Sequence, residues 1–305
     1  IKHLFVEYKA WIERHQPYPS VKEELQAIAR QGAHFRRLTQ PANDDPLAPL
    51  ASFLDTFDTS TAYPLLLHLL DSNLTGDQLR QIAITLESYV LRRAVCNQTP
   101  KNYNRIFLTL TRALRRDGTT PDNITSHLAG LTGESSVWPN DQEFATAWKT
   151  QHAYRILQNP KIVHILRRLN QTYQTNMQEI IPIEGTLTVE HLLPQSWIDH
   201  WPLPDGAKGM EWRELTDAAT GDPRAAATQA RNQALQTFGN LTILTQQLNA
   251  SISNSPWNNK RPAILNASLL AINLQLHQTG HWDETTISKR ADDLCKRAIT
   301  IWPKP

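Results

Sequence analysis

Cysteine is nearly absent from this chain. The only two, Cys96 and Cys295, lie too far apart in sequence to form a CxxC-type zinc knuckle or redox pair. That scarcity argues for a reducing cytoplasm and against a structural zinc site. Long apolar runs are missing too: the longest, around Tyr63 to Leu70, falls far short of the roughly 20 residues a membrane span needs. No secretory signal is visible, so no membrane partner is expected. Asn-x-Ser/Thr triplets such as Asn240-Leu-Thr therefore carry little weight as glycosylation sites. Charge of one sign is also lacking, with a net +2. Up to residue 180 there are 20 Lys/Arg against 17 Asp/Glu, and beyond it 11 against 12. Neither part is polybasic, so any nucleic-acid contact must come from local clusters. No repeat of fixed period marks a solenoid. The chain opens on Ile1 rather than methionine, which suggests a fragment or a processed product.

What is present fits a packed globular protein of about two domains: 305 residues, 40% hydrophobic and 20% charged. Through about residue 175 apolar side chains recur at helical spacing. Leu79, Ile82, Leu86, Tyr89 and Val90 form one such set behind a capping Asp77, and Tyr103, Ile106, Phe107, Leu110 and Leu114 form another, ended by Asp117-Gly118. Connectors such as PANDDP and DGTTPDN separate them. After Glu184-Gly185 the pattern becomes β-like in TLTVEHLL, and again, past a polar Ala-rich stretch, in NLTIL, which runs into a polar helical segment. A last helix is predicted from Asp283 to about Ile301. The expected architecture is mainly α, with a helical domain over 1–180 and a small strand-strand-helix domain over 181–305 wrapped by helices.

In that second part the stretch TVEHLLPQ, residues 188–195, carries an adjacent acid and imidazole, Glu190 and His191, near its end at Pro194. Phosphodiester hydrolysis by a one-metal route needs a general base for water, a hard cation on the phosphate and oxygen ligands to hold it. A ββα hairpin can supply all three. His191 suits the base, because a neutral imidazole accepts a proton near pH 7. Glu190 and the amide oxygen of Asn249 are donors of the kind that suits Mg²⁺ or Mn²⁺.

The chain resembles the HNH (His-Me finger) endonucleases at NLTILTQQLN, where Asn249 follows Asn240 by nine residues, and at VEHLLPQSW. Thr245 and Leu248 stand where zinc-stapled members have cysteine. VEHLLPQSW also resembles the HNH strand of RNA-guided CRISPR nucleases. NASISNSPWNNKR and HWDETTISKRADDLCKRAITIWP narrow the resemblance to the C-terminal nuclease region of GmrSD-type restriction enzymes and SspE-type anti-phage proteins, and ESYVLRRAVCNQTPKNYNRIF and WPNDQEFATAW resemble the helical region before it. The resemblance implies a ββα-metal endonuclease acting in restriction of foreign or phage DNA. Catalytic roles would fall to His191 as base and Asn240 as the residue that fixes hairpin and imidazole, and metal-binding roles to Glu190 and Asn249. It also implies an NTP-hydrolysing, modification-sensing domain upstream of these residues.

Asn254, Lys260 and Arg261 lie just past the expected metal helix, where a DNA strand entering the site would pass, and are the candidate DNA contacts, Lys260 foremost. Lys289-Arg290 and Lys296-Arg297, seven residues apart, would form a basic stripe or a solvated helix face. Arg231 and pairs such as Arg92-Arg93 and Arg167-Arg168 are weaker candidates. Most of the six tryptophans after residue 190 read as core, because a small ββα unit needs aromatic packing. One such site handles one strand of double-stranded DNA, so nicking is expected, with a homodimer as one route to a double-strand break. The rival expectation is a non-catalytic module that keeps the hairpin and binds DNA or a partner.

Overall fold

A computed structural model describes residues 3–174 and 185–305. The expected domain boundary at 180/181 lies outside the described residues. Among the described residues ten α-helices precede the hairpin: α1 (Leu4–His15), α2 (Val21–Thr39), α3 (Ala48–Thr56), α4 (Tyr63–Leu70), α5 (Gly76–Val95), α6 (Tyr103–Asp117), α7 (Pro121–Ala129), α8 (Asp141–Thr150), α9 (Ala153–Ile156) and α10 (Asn159–Tyr173). Strand β1 (Leu187–His191) is followed by α11 (Trp212–Asp217), α12 (Pro223–Leu235) and strand β2 (Leu241–Thr245). Helices α13 (Gln246–Ile252), α14 (Trp257–Ala267), α15 (Ala271–Leu274) and α16 (Glu284–Ile301) complete the chain. The mainly α expectation is met: among the described residues the two strands form the only sheet.

Local chemistry explains the helix starts. Thr75 and Gln78 form a capping box on α5, Asn140 and Glu143 form another on α8, and the Asp283 carboxylate accepts from Thr286 N to open α16. Proline sits in the first turn of α7 and α10, where its missing N–H costs nothing. The periodic set on α5 is buried as the spacing requires, but so are Arg92 and Arg93, both 0% exposed. Arg92 donates to Trp302 O and Pro139 O and pairs with Asp141. Arg93 donates to Val137 O, Thr99 O, Ser135 O and Gln98 Oε1. These two cations tie loops and the chain's last turn to α5 and offer nothing to DNA.

The strands pair antiparallel with Val189 opposite Ile243 and His191 opposite Leu241. Alternation along a strand sends neighbouring side chains to opposite faces, and each face here has its own core. Val189, Leu241 and Ile243 join the cluster built on Ile162, Ile165, Leu166 and Leu169 of α10 and Ala291, Leu294 and Ala298 of α16. Leu244 joins a second cluster with Leu192, Leu193, Trp197, Trp257, Ile264 and Trp282. The hairpin is thus the shared wall between two cores. Strand β1 stops at His191, three residues before Pro194, because Leu192 and Leu193 turn into the second core. Of the six late tryptophans, Trp197, Trp201, Trp257, Trp282 and Trp302 are buried as expected, while Trp212 is 79% exposed.

Helix α16 approaches the turn before β2 closely at Gly239. A Cβ there would lie 2.2 Å from Ile287 O and 3.0 Å from Ala291 Cβ, and the first of these is backbone that cannot swing aside. Gly239→Ala is expected to cost ~2 kcal/mol or more by overpacking, read as a lower urea midpoint with an unchanged slope.

Candidate active site

His191 closes β1 on the face toward α9 and α10. Its ring is 6% exposed and packs edge-on against Tyr154 of α9, with centroids 4.5 Å apart. Nε2 lies 3.1 Å from Gln236 Oε1. Gln236 Nε2 donates to Gln195 Oε1 at 3.4 Å, so its Oε1 is the acceptor toward the imidazole. His191 therefore carries its proton on Nε2 and its lone pair on Nδ1. Burial, reinforced by the Lys260 charge and opposed by the Gln236 hydrogen bond, pushes its pKa down to about 4. The ring is neutral at pH 7, as a general base must be.

Glu190, one residue earlier, faces the other way. Lys260 of α14 is fully buried, and its Nζ donates to Glu190 Oε1 at 2.5 Å and to His191 O at 2.9 Å. Burial raises the Glu190 pKa against the opposing effect of Lys260 and the His191 backbone N–H, and burial lowers that of Lys260 against the opposing carboxylate. Each ion is tolerable there because of the other. The expectation of Lys260 as a phosphate contact is corrected here: a 0% exposed ammonium, locked between a carboxylate and a carbonyl, cannot meet DNA. The spacing Trp257, Lys260, Ile264 carried the signal, since those positions share one buried helix face. Arg261 is likewise committed, donating to Leu276 O and His277 O, whereas Asn254 is exposed.

Asn240 is wholly buried, and its amide is saturated. Oδ1 accepts from Leu193 N at 2.8 Å and Trp282 Nε1 at 3.0 Å, while Nδ2 donates to Leu193 O and Leu235 O, both at 2.9 Å. Its own carbonyl accepts from Leu192 N. It ties the turn after β1 to the end of α12, while the imidazole is held by Gln236, a residue sequence reasoning missed. Asn249 reaches back from α13 to β1, its Nδ2 donating to Thr188 Oγ1 at 2.9 Å and Val189 O at 3.1 Å. Thr188 shares a strand face with Glu190. The structure thus brings Asn249 and Glu190 to one side of the strand and leaves His191 on the other.

The late arginines serve the fold as well. Arg290 donates to Gly239 O and Leu241 O, and Arg297 pairs with Asp293 and stacks on Tyr173, which leaves Lys289 and Lys296 as the exposed members of the expected stripe. Arg231 pairs with Glu284 and donates to Trp201 O and Pro202 O.

The sequence model of the family described as GmrSD restriction endonucleases, C-terminal domain, matches residues 138–297. The chain belongs to this family. The match holds every residue of the hairpin and of the site above, together with WPNDQEFATAW, while ESYVLRRAVCNQTPKNYNRIF lies before it. No curated protein matches the chain. Membership in the GmrSD C-terminal family assigns a nuclease role in restriction, with DNA as substrate. Among the described residues no helix is long and apolar enough to cross a membrane, and no three His, Cys, Asp or Glu side chains gather as a metal cluster.

Two outcomes follow from the burial of these groups. Lys260→Ala leaves Glu190 buried and unpaired, and is expected to cost ~3–5 kcal/mol in urea unfolding. The double change Glu190→Leu with Lys260→Met should recover most of that loss. Because the His191 pKa is lower folded than the ordinary 6.5, the unfolded chain binds the extra proton first. Its contribution is whole above pH 6.5 and is lost as pH falls toward 4, by up to ~3 kcal/mol. Thermal melts across that range should show His191→Gln with a shallower acid decline.

Proposed function

We propose that the chain is a metal-dependent HNH endonuclease that nicks DNA, with the strand-strand-helix unit β1, β2 and α13 as its ββα centre. The observation that carries this reading is the return of Asn249 from the helix to the first strand, whose last residue presents on its opposite face an imidazole with the lone pair on Nδ1. His191 Nδ1 would take the proton from the attacking water as its oxygen bonds phosphorus and the bridging 3′-oxygen departs. Gln236 would hold the tautomer, and Asn240 would position the strand end without touching substrate. Tyr154 screens the imidazole, so the reading requires that ring to turn aside when DNA enters.

The donor chemistry fits a hydrated Mg²⁺ or Mn²⁺. Asn249 spends only its Nδ2 on the strand, which leaves its amide oxygen for a cation; Glu190 offers the oxygen that Lys260 does not take. Two protein oxygens suffice for an ion that keeps most of its water. Bound there, the ion would supply Lewis-acid stabilisation of charge developing on the phosphate. In this reading the chain is the effector part of a larger protein whose upstream NTP-hydrolysing domain senses modification, and paired copies would give double-strand breaks.

The rival reading, a binding module that keeps the hairpin without catalysis, is favoured by one observation, the closure of Glu190 by Lys260. Nicking of supercoiled plasmid in Mg²⁺ or Mn²⁺ separates the two. Cleavage abolished by EDTA and reduced ~100-fold or more in His191→Ala is expected for a general base. Equal rates in the wild type and His191→Ala would refute the catalytic assignment, and DNA binding without any nicking would establish the module.

A further inference from the structure

A cleft of about 640 Å³ lies between α3, α10 and the start of β1. Helix α10 contributes His164, Arg167, Arg168 and Gln171 to its wall, at spacings of three, four and seven residues from the first. That spacing places all four on one helix face. Ser52 and Thr56 of α3, four residues apart, line the cleft as well, and Thr188 of β1 borders it. None of the described residues that line it is acidic.

Behind this wall two donors lack a partner, while Arg168 Nη1 donates to Gln171 Oε1 at 3.1 Å within it. The buried Nε2 of His164 and Nε of Arg168 have no hydrogen-bond partner among the described residues. Both approach the buried Glu87 carboxylate, at 3.7 and 3.9 Å, too far to bond, because Glu87 Oε1 already accepts from Trp302 Nε1 at 2.8 Å. One buried carboxylate stands behind two guanidinium groups, so the cleft keeps an excess of positive charge. Its walls offer guanidinium, imidazole, amide and hydroxyl groups, a set suited to phosphate oxygens.

Position selects the source of that phosphate. Thr188 borders the cleft, and its hydroxyl, on the strand face of Glu190, accepts from Asn249 Nδ2, so one strand residue links the cleft to the proposed cation site. From Thr188 to His191 the strand advances ~10 Å, an axial rise of about three base pairs of duplex. We infer that this cleft is a DNA-backbone track, in which Arg167 and Arg168 hold phosphates of the cleaved strand a few nucleotides from the scissile bond. The inference rests on the nuclease reading for its register, though not for the binding itself. It also moves the DNA contact from α14, where Lys260 is sealed, to the helical part.

The test is fluorescence anisotropy of a labelled 30-base-pair duplex on the full chain carrying His191→Ala, which keeps the DNA intact, across a salt series. Arg167→Ala with Arg168→Ala should weaken binding ~10-fold or more and flatten the slope of log affinity against log salt by about 1–2. Arg115→Ala with Arg116→Ala, an exposed pair outside the cleft, should change affinity less than twofold. Arg168 neighbours Glu87, so Arg167→Glu, which alters an exposed side chain alone, serves as a second variant if the double change unfolds; it should also weaken binding. Unchanged affinity and slope in variants that melt like the parent would overturn the inference. Arginine-dependent binding with no nicking by the wild type would leave the track standing and remove the nuclease reading. Nicking by the wild type with unaffected binding in the arginine variants would do the reverse.

Discussion

The amide of Asn240 is the constraint on which the site depends. Its two N–H groups and two acceptor positions are all filled by the chain, which joins the turn after β1 to the end of α12 and to the indole of Trp282. A buried amide with one bond missing would carry a desolvation cost of a few kcal/mol, so these segments hold their places together. Because Leu193 is held by both N–H and carbonyl, β1 must end at His191, and the imidazole stands where sheet gives way to turn. No other neutral side chain of similar size offers two donors and an acceptor in that geometry apart from glutamine, whose extra methylene would not fit the same bonds.

The second organising feature is the sidedness of β1. Two neighbours in sequence serve different environments: Glu190 belongs to the buried ion pair under α14, and His191 to the Tyr154 and Gln236 pocket against the helical part. Each environment sets its own protonation. Desolvation favours neutral imidazole, while the 2.5 Å contact with Lys260 keeps carboxylate and ammonium compatible with burial. Lys260 also binds the His191 carbonyl, so the ion pair on one face anchors the residue whose ring packs on the other.

Legibility in the sequence followed the range of the interactions. Helical periodicity, the two β-like runs, the strand's halt before Pro194 and the short helix bearing Asn249 are local properties, and each could be read from spacing and residue type. Asn240 could be named as a hairpin residue through the resemblance at NLTILTQQLN, with Asn249 nine residues on, and not from its own position alone. Gln236 and Tyr154 could not be named: they reach His191 through folding across 45 and 37 residues, and no period marks them. The arginines misled for a different reason. A guanidinium reads as surface charge in sequence, yet Arg92, Arg93 and Arg231 each satisfy several carbonyl or carboxylate oxygens inside the fold, which only the assembled loops supply.

The wall shared by the two cores has a consequence for inheritance. A two-stranded ribbon is marginal by itself in water, and this one draws Val189, Leu241 and Ile243 into the apolar cluster of α10 and α16. The hairpin is therefore not a cassette that could be lifted out and fused to a new partner at the start of β1. Any recombination that moves it must carry α9 and α10 along, and with them Tyr154. A change on the hairpin's apolar face must be accommodated by α10 and α16, and a change on theirs by the hairpin.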